Sequence, residues 1–316
     1  MPNPINISNS NNLAPFLKYF EDKGIEWRSV ATKYNFPENI DEENIWLSSH
    51  QVMAFLHAMM KNTKKNIGVD VGRLITLDQL SPELLREFKQ CNGVEHAVQR
   101  LIELMPTLNN YVVVWPSQIE GKWYLCHRGS YHPSLPGYDQ AEWFRTFALI
   151  SLFRLFLGNR WEPRSIFMSF SQHLARGLSP VQTESTFTFG HDYGAIELPL
   201  SQAFVAIESQ RKNSGWIENI TALINTYAVL PWFSIDWLAR LVGSSSRTLQ
   251  RLLANHGFTF RELRDQARHS VATKLLSDGV SPFETGWRCG YSDLSNFNRA
   301  FKAWSGKTPS QFQKTS

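Results

Sequence analysis

The chain has 316 residues, enough for two domains at roughly 150 residues each. Hydrophobic residues make up 42% and aromatics 13%, which excludes a disordered chain and allows large apolar interiors. The net charge of +4 is unevenly spread: residues 1–210 hold 18 Lys and Arg against 21 Asp and Glu, whereas residues 211–316 hold 14 against 7. The positive excess therefore belongs to the last third, the pattern of a module that meets a polyanion. Cys91, Cys126 and Cys289 lie far apart with no CxxC. That excludes a disulfide framework, a four-cysteine zinc site and c-type haem attachment, and an odd count fits a reducing cytosol. Met1 to Asn12 is polar, with five Asn and no basic stretch, so it does not read as a signal peptide. The most apolar stretch, Phe144 to Leu157, contains Arg145 and Arg154 and is too short to span a bilayer. The expectation is a soluble, cytoplasmic protein with no membrane partner.

The first 105 residues read as helices. Leu13, Phe16, Leu17 and Phe20 recur at +3, +4 and +7, one face of an amphipathic helix. Trp27, Val30, Ala31 and Tyr34 repeat the spacing. Ser48 or Ser49 can cap a helix carrying Val52, Phe55, Leu56 and Met59. Pro82 opens another. A further helix from Val94 is expected to stop near Pro106. Tyr111 to Trp115 and Lys122 to Cys126 are β-rich runs that read as a hairpin. Tyr138 to Leu157 is a long helix, apolar nearly all round and hence buried. Ser165 to Phe170, Thr186 to Phe189 and Ala195 to Leu198 are strand candidates, and Ser201 to Ser209 reads as a helix. Gln210 to Gly215 is polar and flexible, close to where the charge changes sign. The chain therefore divides into residues 1–210, a linker at 211–216 and residues 217–316. The fold class is mainly α: an α+β N-terminal domain, then an all-α domain with two helix-turn-helix units joined by a strut helix.

The last third is the most specific. Ser234 to Gly243 is a short helix with a Ser cap, an acid in its first turn and a Gly stop. Ser244 to Ser246 can cap the next helix, whose inner face is Leu249, Leu252 and Leu253. This is a helix-turn-helix. On its second helix Arg247, Gln250 and Arg251 share the outward face, with Thr248 beside them. The layout returns about 45 residues later. Ser281-Pro-Phe-Glu284 reads as a capping box. Ser292 or Asp293 then caps a helix with Leu294, Phe297 and Phe301 inside, and Ser295, Asn298, Arg299 and Lys302 outside. Between the units, Leu263, Ala267, Val271 and Leu275 mark a strut at strict +4 spacing. Arg reads guanine and Gln or Asn reads adenine in the major groove. Two recognition helices on one strut suit successive grooves, roughly 34 Å apart on one face of DNA. Trp287 and Trp304 read as core, and Cys289 as a small buried hydrophobe.

This stretch resembles the DNA-binding domain of AraC/XylS-type transcription regulators. Gly290-Tyr-Ser-Asp-Leu-Ser-Asn-Phe-Asn-Arg-Ala-Phe-Lys-Ala-Trp-Ser-Gly-Lys-Thr-Pro309 follows the family signature nearly position for position, and Ser244 to Leu253 is similar to its first recognition helix. The resemblance implies that Arg247, Gln250 and Arg251 contact one groove, and Ser295, Asn298 and Arg299 the next. Two departures stand out. Thr285-Gly286 replaces the usual Ile-Ala, and glycine inside a helix costs up to ~1 kcal/mol against alanine. Gln313 stands where the family often has a basic residue, which implies one lost backbone contact.

Residues 1–210 resemble, more diffusely, the sensor type labelled arabinose-binding-like in the same superfamily, a label that does not fix the ligand. Aromatics and arginines crowd into the hairpin region: Trp115, Trp123, His127, Arg128, Tyr131, Trp143 and Arg145 are the candidate effector residues. Such a set can stack on and clamp an anionic or planar molecule. No P-loop, GxGxxG, HExxH or GxSxG is present, and His50 and His57 have the wrong spacing for a metal pair. No enzyme activity, metal or cofactor is expected. The reading is a transcription regulator binding double-stranded operator DNA, as a homodimer and with RNA polymerase as partner. A small-molecule effector controls it, or else the first domain only dimerises and contacts polymerase. An enzyme domain tethered to DNA is the reading from another class.

Overall fold

The computed structural model describes residues 5–37, 40, 45–76, 79, 82–175, 183–205 and 215–314. The chain forms two compact units, Asn6–Asn213 and Ser214–Ser316, with Ile5 counted in the second. Residues 206–214, which include 211–214 of the expected linker, lie outside the described residues.

The first unit is built on helices α1 (Ala14–Asp22), α2 (Arg28–Lys33), α3 (Ser49–Thr63), α4 (Ile67–Leu74), α5 (Pro82–Lys89), α6 (Val94–Leu108) and α7 (Tyr138–Leu157). Two short strands interrupt the helical opening, β1 (Ile7–Asn9) and β2 (Trp46–Ser48), paired antiparallel with Ile7 opposite Ser48. Neither is legible locally, because a three-residue strand carries no alternation; the pairing partner lies about 40 residues away. Pro106 does not stop α6, which runs on to Leu108. A proline in the last turn removes a single helical hydrogen bond, and the Asn109 N–H still reaches Met105 O at 3.2 Å.

A five-stranded sheet follows: β3 (Val112–Ile119), β4 (Lys122–Gly129), β5 (Ser165–Met168), β6 (Thr186–Phe189) and β7 (Gly194–Glu197). Its order is β3-β4-β7-β5-β6, antiparallel except for the β5–β6 pair. β3 is an edge strand, which is why Pro116 is tolerated inside it. The segment expected as a helix from Ser201 is instead a turn over its described residues, closed by Phe204 N–H to Ser201 O at 3.0 Å; residues 206–209 lie outside the description.

α7 is the centre of this unit. One side meets the sheet, where Trp143 packs its ring against Phe170, Phe187 and Phe189 at 5.2 to 6.2 Å. The other side meets α4. A Cβ on Gly68 would fall 2.2 Å from Gln140 O, and one on Gly72 would fall 2.8 Å from Phe147 Cβ. The two glycines, four apart on one face of α4, let its backbone lie directly on α7. A helix covered on both sides has no solvent-facing polar stripe, and even Asp139, Gln140 and Glu142 in its first turns are buried.

The second unit is all helical: α8 (Trp216–Tyr227), α9 (Ile235–Leu241), α10 (Ser246–Asn255), α11 (Phe260–Ser277), α12 (Pro282–Arg288), α13 (Leu294–Ser305) and α14 (Pro309–Gln313). The strut α11 starts in a complete capping box between Thr259 and Glu262. Its buried stripe is Leu263, Ala267, Arg268, Ala272 and Leu276, and Val271 and Leu275 are only half-buried. A +4 step advances 400°, 40° beyond a full turn, so a strict +4 row winds off the buried face. Its second half forms a core with Cys289, Phe297 and Phe301, against which Tyr291, Trp304 and Phe312 pack.

Candidate nucleic-acid interface and effector cavity

Each helix-turn-helix is set by its caps. In the first, Ser234 Oγ accepts from Trp237 N–H and Ser245 Oγ accepts from Thr248 N–H, both at 3.2 Å. Ser246 Oγ donates to Asp236, tying the start of α10 to the first turn of α9. Gly243 takes the turn with φ +66°. Leu249 and Leu253 face inward, and Arg247, Gln250 and Arg251 are exposed. Neither arginine forms an ion pair among the described residues. Thr248 is half-buried and its hydroxyl shares a 2.9 Å hydrogen bond with Ser245 Oγ, so it belongs to the cap as much as to the outer face.

In the second unit Asp293 Oδ1 accepts from Asn296 N–H at 2.9 Å and starts α13. Phe297 and Phe301 are fully buried; Ser295, Arg299 and Lys302 are exposed and Asn298 is half-buried. The Arg299 guanidinium donates to Asn296 Oδ1, a neutral partner that leaves its charge available. The expected capping box at Ser281 is half-formed. Ser281 Oγ accepts from Glu284 N–H at 3.2 Å, but the Glu284 carboxylate turns to Arg288 instead of the cap. Trp287 is not core: it is 67% exposed, one turn from Phe283 at 69%. The short α12 has room inward only for Thr285 and Gly286, both buried.

Both family departures have structural reasons. A Cβ on Gly286 would stand 3.0 Å from the Phe297 ring, so glycine lets α12 sit close on α13. Gln313 donates from Nε2 to Val280 O at 3.0 Å and to Leu276 O at 3.4 Å. It pins α14 to the end of the strut rather than reaching outward.

Arg268, unremarked as a site from sequence, connects the two helix-turn-helix units. It is 7% exposed, donates from Nε to Ala228 O at 2.8 Å, and its guanidinium carbon lies 5.0 Å from the Tyr291 ring. Ala228 leads into the first helix-turn-helix and Tyr291 sits in the turn of the second. The signal was present: an arginine on the strut's apolar stripe must be paired to be buried.

The seven candidate effector residues do not converge on one site. Trp115 packs on Tyr193 at 5.4 Å, on the sheet face of Tyr124 and Cys126. Trp123 packs on Phe204 and donates to Ser201 O at 3.0 Å, at the far end of the hairpin. Arg128 is exposed, Tyr131 lies edge-on to His50 and tilted against Tyr111, and Trp143 is 1% exposed in an aromatic core. Alternation along β4 sends neighbours to opposite faces, so nearness in sequence does not bring these side chains together. Only His127 and Arg145 meet: Arg145 Nε donates to His127 Nδ1 at 3.1 Å. Burial, then the Arg145 charge, holds the fully buried His127 well below the usual histidine range. Of the seven, only Arg145 lines the cavity of the first unit. That cavity is small, about 100 Å³, and opens to solvent between β1, the start of β3 and helices α1, α3, α5, α6 and α7. Among the described residues no group of three or more His, Cys, Asp or Glu is placed to hold a metal, and no helix is long and apolar enough to cross a membrane.

Residues 24–202 match the model of the arabinose-binding domain of AraC transcription regulators, and residues 238–315 match a helix-turn-helix domain. The chain belongs to the AraC family of transcription regulators. Among similar AraC-type proteins, the regulator RipA of Corynebacterium diphtheriae is 33% identical over 160 residues, 50% of this chain and 43% of that protein. The ornithine utilization regulator of Pseudomonas aeruginosa is 35% identical over 81 residues, 25% of this chain and 24% of that one. The chain thus spans less than half the length of the curated relatives it matches. The crystal structure of the regulator CdpR from Pseudomonas aeruginosa aligns over 96% of this chain and 98% of that one, at 19% identity and a TM-score of 0.40, too low to bear on function.

Proposed function

We propose that this AraC-type regulator binds operator DNA as a homodimer in the cytoplasm, recruits RNA polymerase to activate transcription, and responds to a small molecule held by its first unit. The observation that carries the DNA-binding part is the pair of capped helices α10 and α13, each with arginine on its exposed face, in two helix-turn-helix units that both meet Arg268 of α11, one at Ala228 and the other at Tyr291. Arg247, Gln250 and Arg251 read one major groove, and Ser295, Asn298 and Arg299 the next. Lys302 binds phosphate. The effector shifts the DNA-bound state by a coupling of about 1–3 kcal/mol, the usual range for such sites. The cavity supports sensing over a purely dimerising first unit.

The test is selection of duplexes from a random pool by the full chain, followed by a salt titration. The enriched sites should carry two elements about 10–10.5 base pairs apart. Affinity should fall steeply with salt as lysines and arginines displace counterions. No enriched sequence, together with a flat salt response, would remove the DNA-binding reading.

A further inference from the structure

We infer that the outer face of the five-stranded sheet, the one turned away from α7, is the surface on which two copies of this chain meet. This rests on the reading above that the protein acts as a homodimer, and it names the interface.

Alternation divides β3 into two faces. Val112, Val114 and Pro116 are buried on the α7 side, whereas Val113, Trp115, Ser117 and Ile119 on the other side are half-buried. Register carries this outer face across the sheet: Trp115 lies opposite Cys126, Cys126 opposite Ala195, Ala195 opposite Phe167, and Phe167 opposite Thr188. Rings fill it. Trp115 meets Tyr193 at 5.4 Å, Tyr124 stacks on Phe167 at 4.9 Å, and Phe167 stacks on His191 at 4.4 Å. Among the described residues, those packed around Tyr124, Cys126 and Ala195 come from the sheet and the turn before β7, and none from a helix. An antiparallel sheet with one face in water carries polar residues on that face. Here Trp115, Ile119, Tyr124, Ala195 and Phe167 make it apolar from β3 to β5, the composition of a sheet covered on both sides.

Size and charge select a second copy as the cover. Four strands about 4.8 Å apart, with a mean length of roughly 20 Å, outline an open face of roughly 400 Å². That is about half of the ~800 Å² per partner that a standard stable interface buries, before the exposed hairpin end and the turn before β7 are added at its rim. Small-molecule sites are concave, and this face is broad and open. Its charges complement each other. Arg128, two residues beyond Cys126 on β4 and opposite Val113, is exposed, as is Asp192 beside Tyr193. Neither has an ion-pair partner among the described residues. A two-fold contact repeats every pair, so Arg128 of one copy meets Asp192 of the other twice, with the rings between. An anionic ligand would answer Arg128 alone.

The experiment is sedimentation equilibrium of the full chain without DNA, for the native protein, Arg128→Asp, Asp192→Arg, the two reversals together, and Phe167→Asp, each checked by circular dichroism. The native chain should form a dimer. Each single reversal should raise the dissociation constant about tenfold, because like charges then meet across the axis. The double reversal should restore it to within about threefold, a rescue that a purely structural effect would not give. Phe167→Asp should leave a folded monomer; should it fail to fold, the three charge variants decide alone. If the native chain dimerises only on the selected duplex, the same series is measured there. A native dimer indifferent to the single reversals, or weakened by them and not restored by the double, overturns this interface and leaves the homodimer reading standing. A chain that is monomeric both free and on DNA overturns both.

Discussion

Arg268 donates from Nε to the Ala228 carbonyl at 2.8 Å, joining residues 40 apart in sequence. Its Nη2 lies 3.4 Å from Leu230 O, and Gly290, at φ +79°, brings its backbone so close to Val229 O that a Cβ would stand 2.5 Å away. The entry to the first helix-turn-helix thus rests on the turn of the second, with one guanidinium between them.

Arg268→Leu leaves the buried Ala228 carbonyl without its donor, while Leu230 O keeps the Phe233 N–H, and should cost about 1–3 kcal/mol of stability. Arg268→Lys should recover only part of it, because an ammonium lacks the planar fork. Urea titration of the full chain measures both. An unchanged midpoint in Arg268→Leu would show that the two helix-turn-helix units hold together without this contact.

Arg299 and Lys302 lie on the same exposed face of α13 but should fail differently. Arg299→Ala should weaken specific binding by about 1–3 kcal/mol and relax one base position. Lys302→Ala should weaken all sequences alike and lower the salt slope by about one. Titration of the selected site and its single-base variants separates them. If Arg299→Ala keeps the base preference, Arg299 is not part of the readout.

Two glycine positions test close packing. Gly68→Ala puts a methyl 2.2 Å from a backbone oxygen of α7, which has no rotamer to yield, and should cost about 1–3 kcal/mol or more. Gly286→Ala gains up to ~1 kcal/mol of helix propensity but meets the Phe297 ring at 3.0 Å, in a core where that ring is fully buried. The net effect should be a lower melting temperature. A higher one would show that Phe297 can give way.

His127 should make the first unit acid-sensitive. Its pKa in the folded protein lies well below the unfolded value of 6.5, so the unfolded chain binds the extra proton. Its contribution is therefore full above about pH 6.5 and is lost as pH falls below it, by at most ~1.4 kcal/mol per pH unit. Arg145 opposes protonation and Thr146 Oγ1 lies 3.4 Å from Nε2. Glu142 works the other way, since its raised pKa favours the folded state at low pH. Comparing unfolding free energies at pH 7.5 and 5.5 for the native protein and His127→Gln isolates the histidine. The variant should show the smaller drop; equal drops would place the acid sensitivity elsewhere.

Much of the second unit was legible because its information is local. Ser234, Ser245 and Asp293 announce three helix starts by hydrogen bonds within three residues, and exposed arginines at helical spacing show which faces remain outside. The sequence by itself therefore determined the two helix-turn-helix units, the arginines on their exposed faces and the basic character of the module. It also determined the burial of Tyr138–Leu157, since a helix without a polar stripe has nowhere else to go. Tertiary structure alone decided the rest. The short strands at Ile7 and Trp46 exist only through each other. Trp287 is exposed because α12 is too short to turn it inward. The effector candidates around the hairpin scatter because a strand alternates its faces and a helix rotates its own. Arg145 meets His127 and the cavity only where α7 crosses β4. Caps and amphipathic faces are written in adjacent residues, whereas a cavity is the space left between elements distant in sequence, and no local pattern specifies its shape.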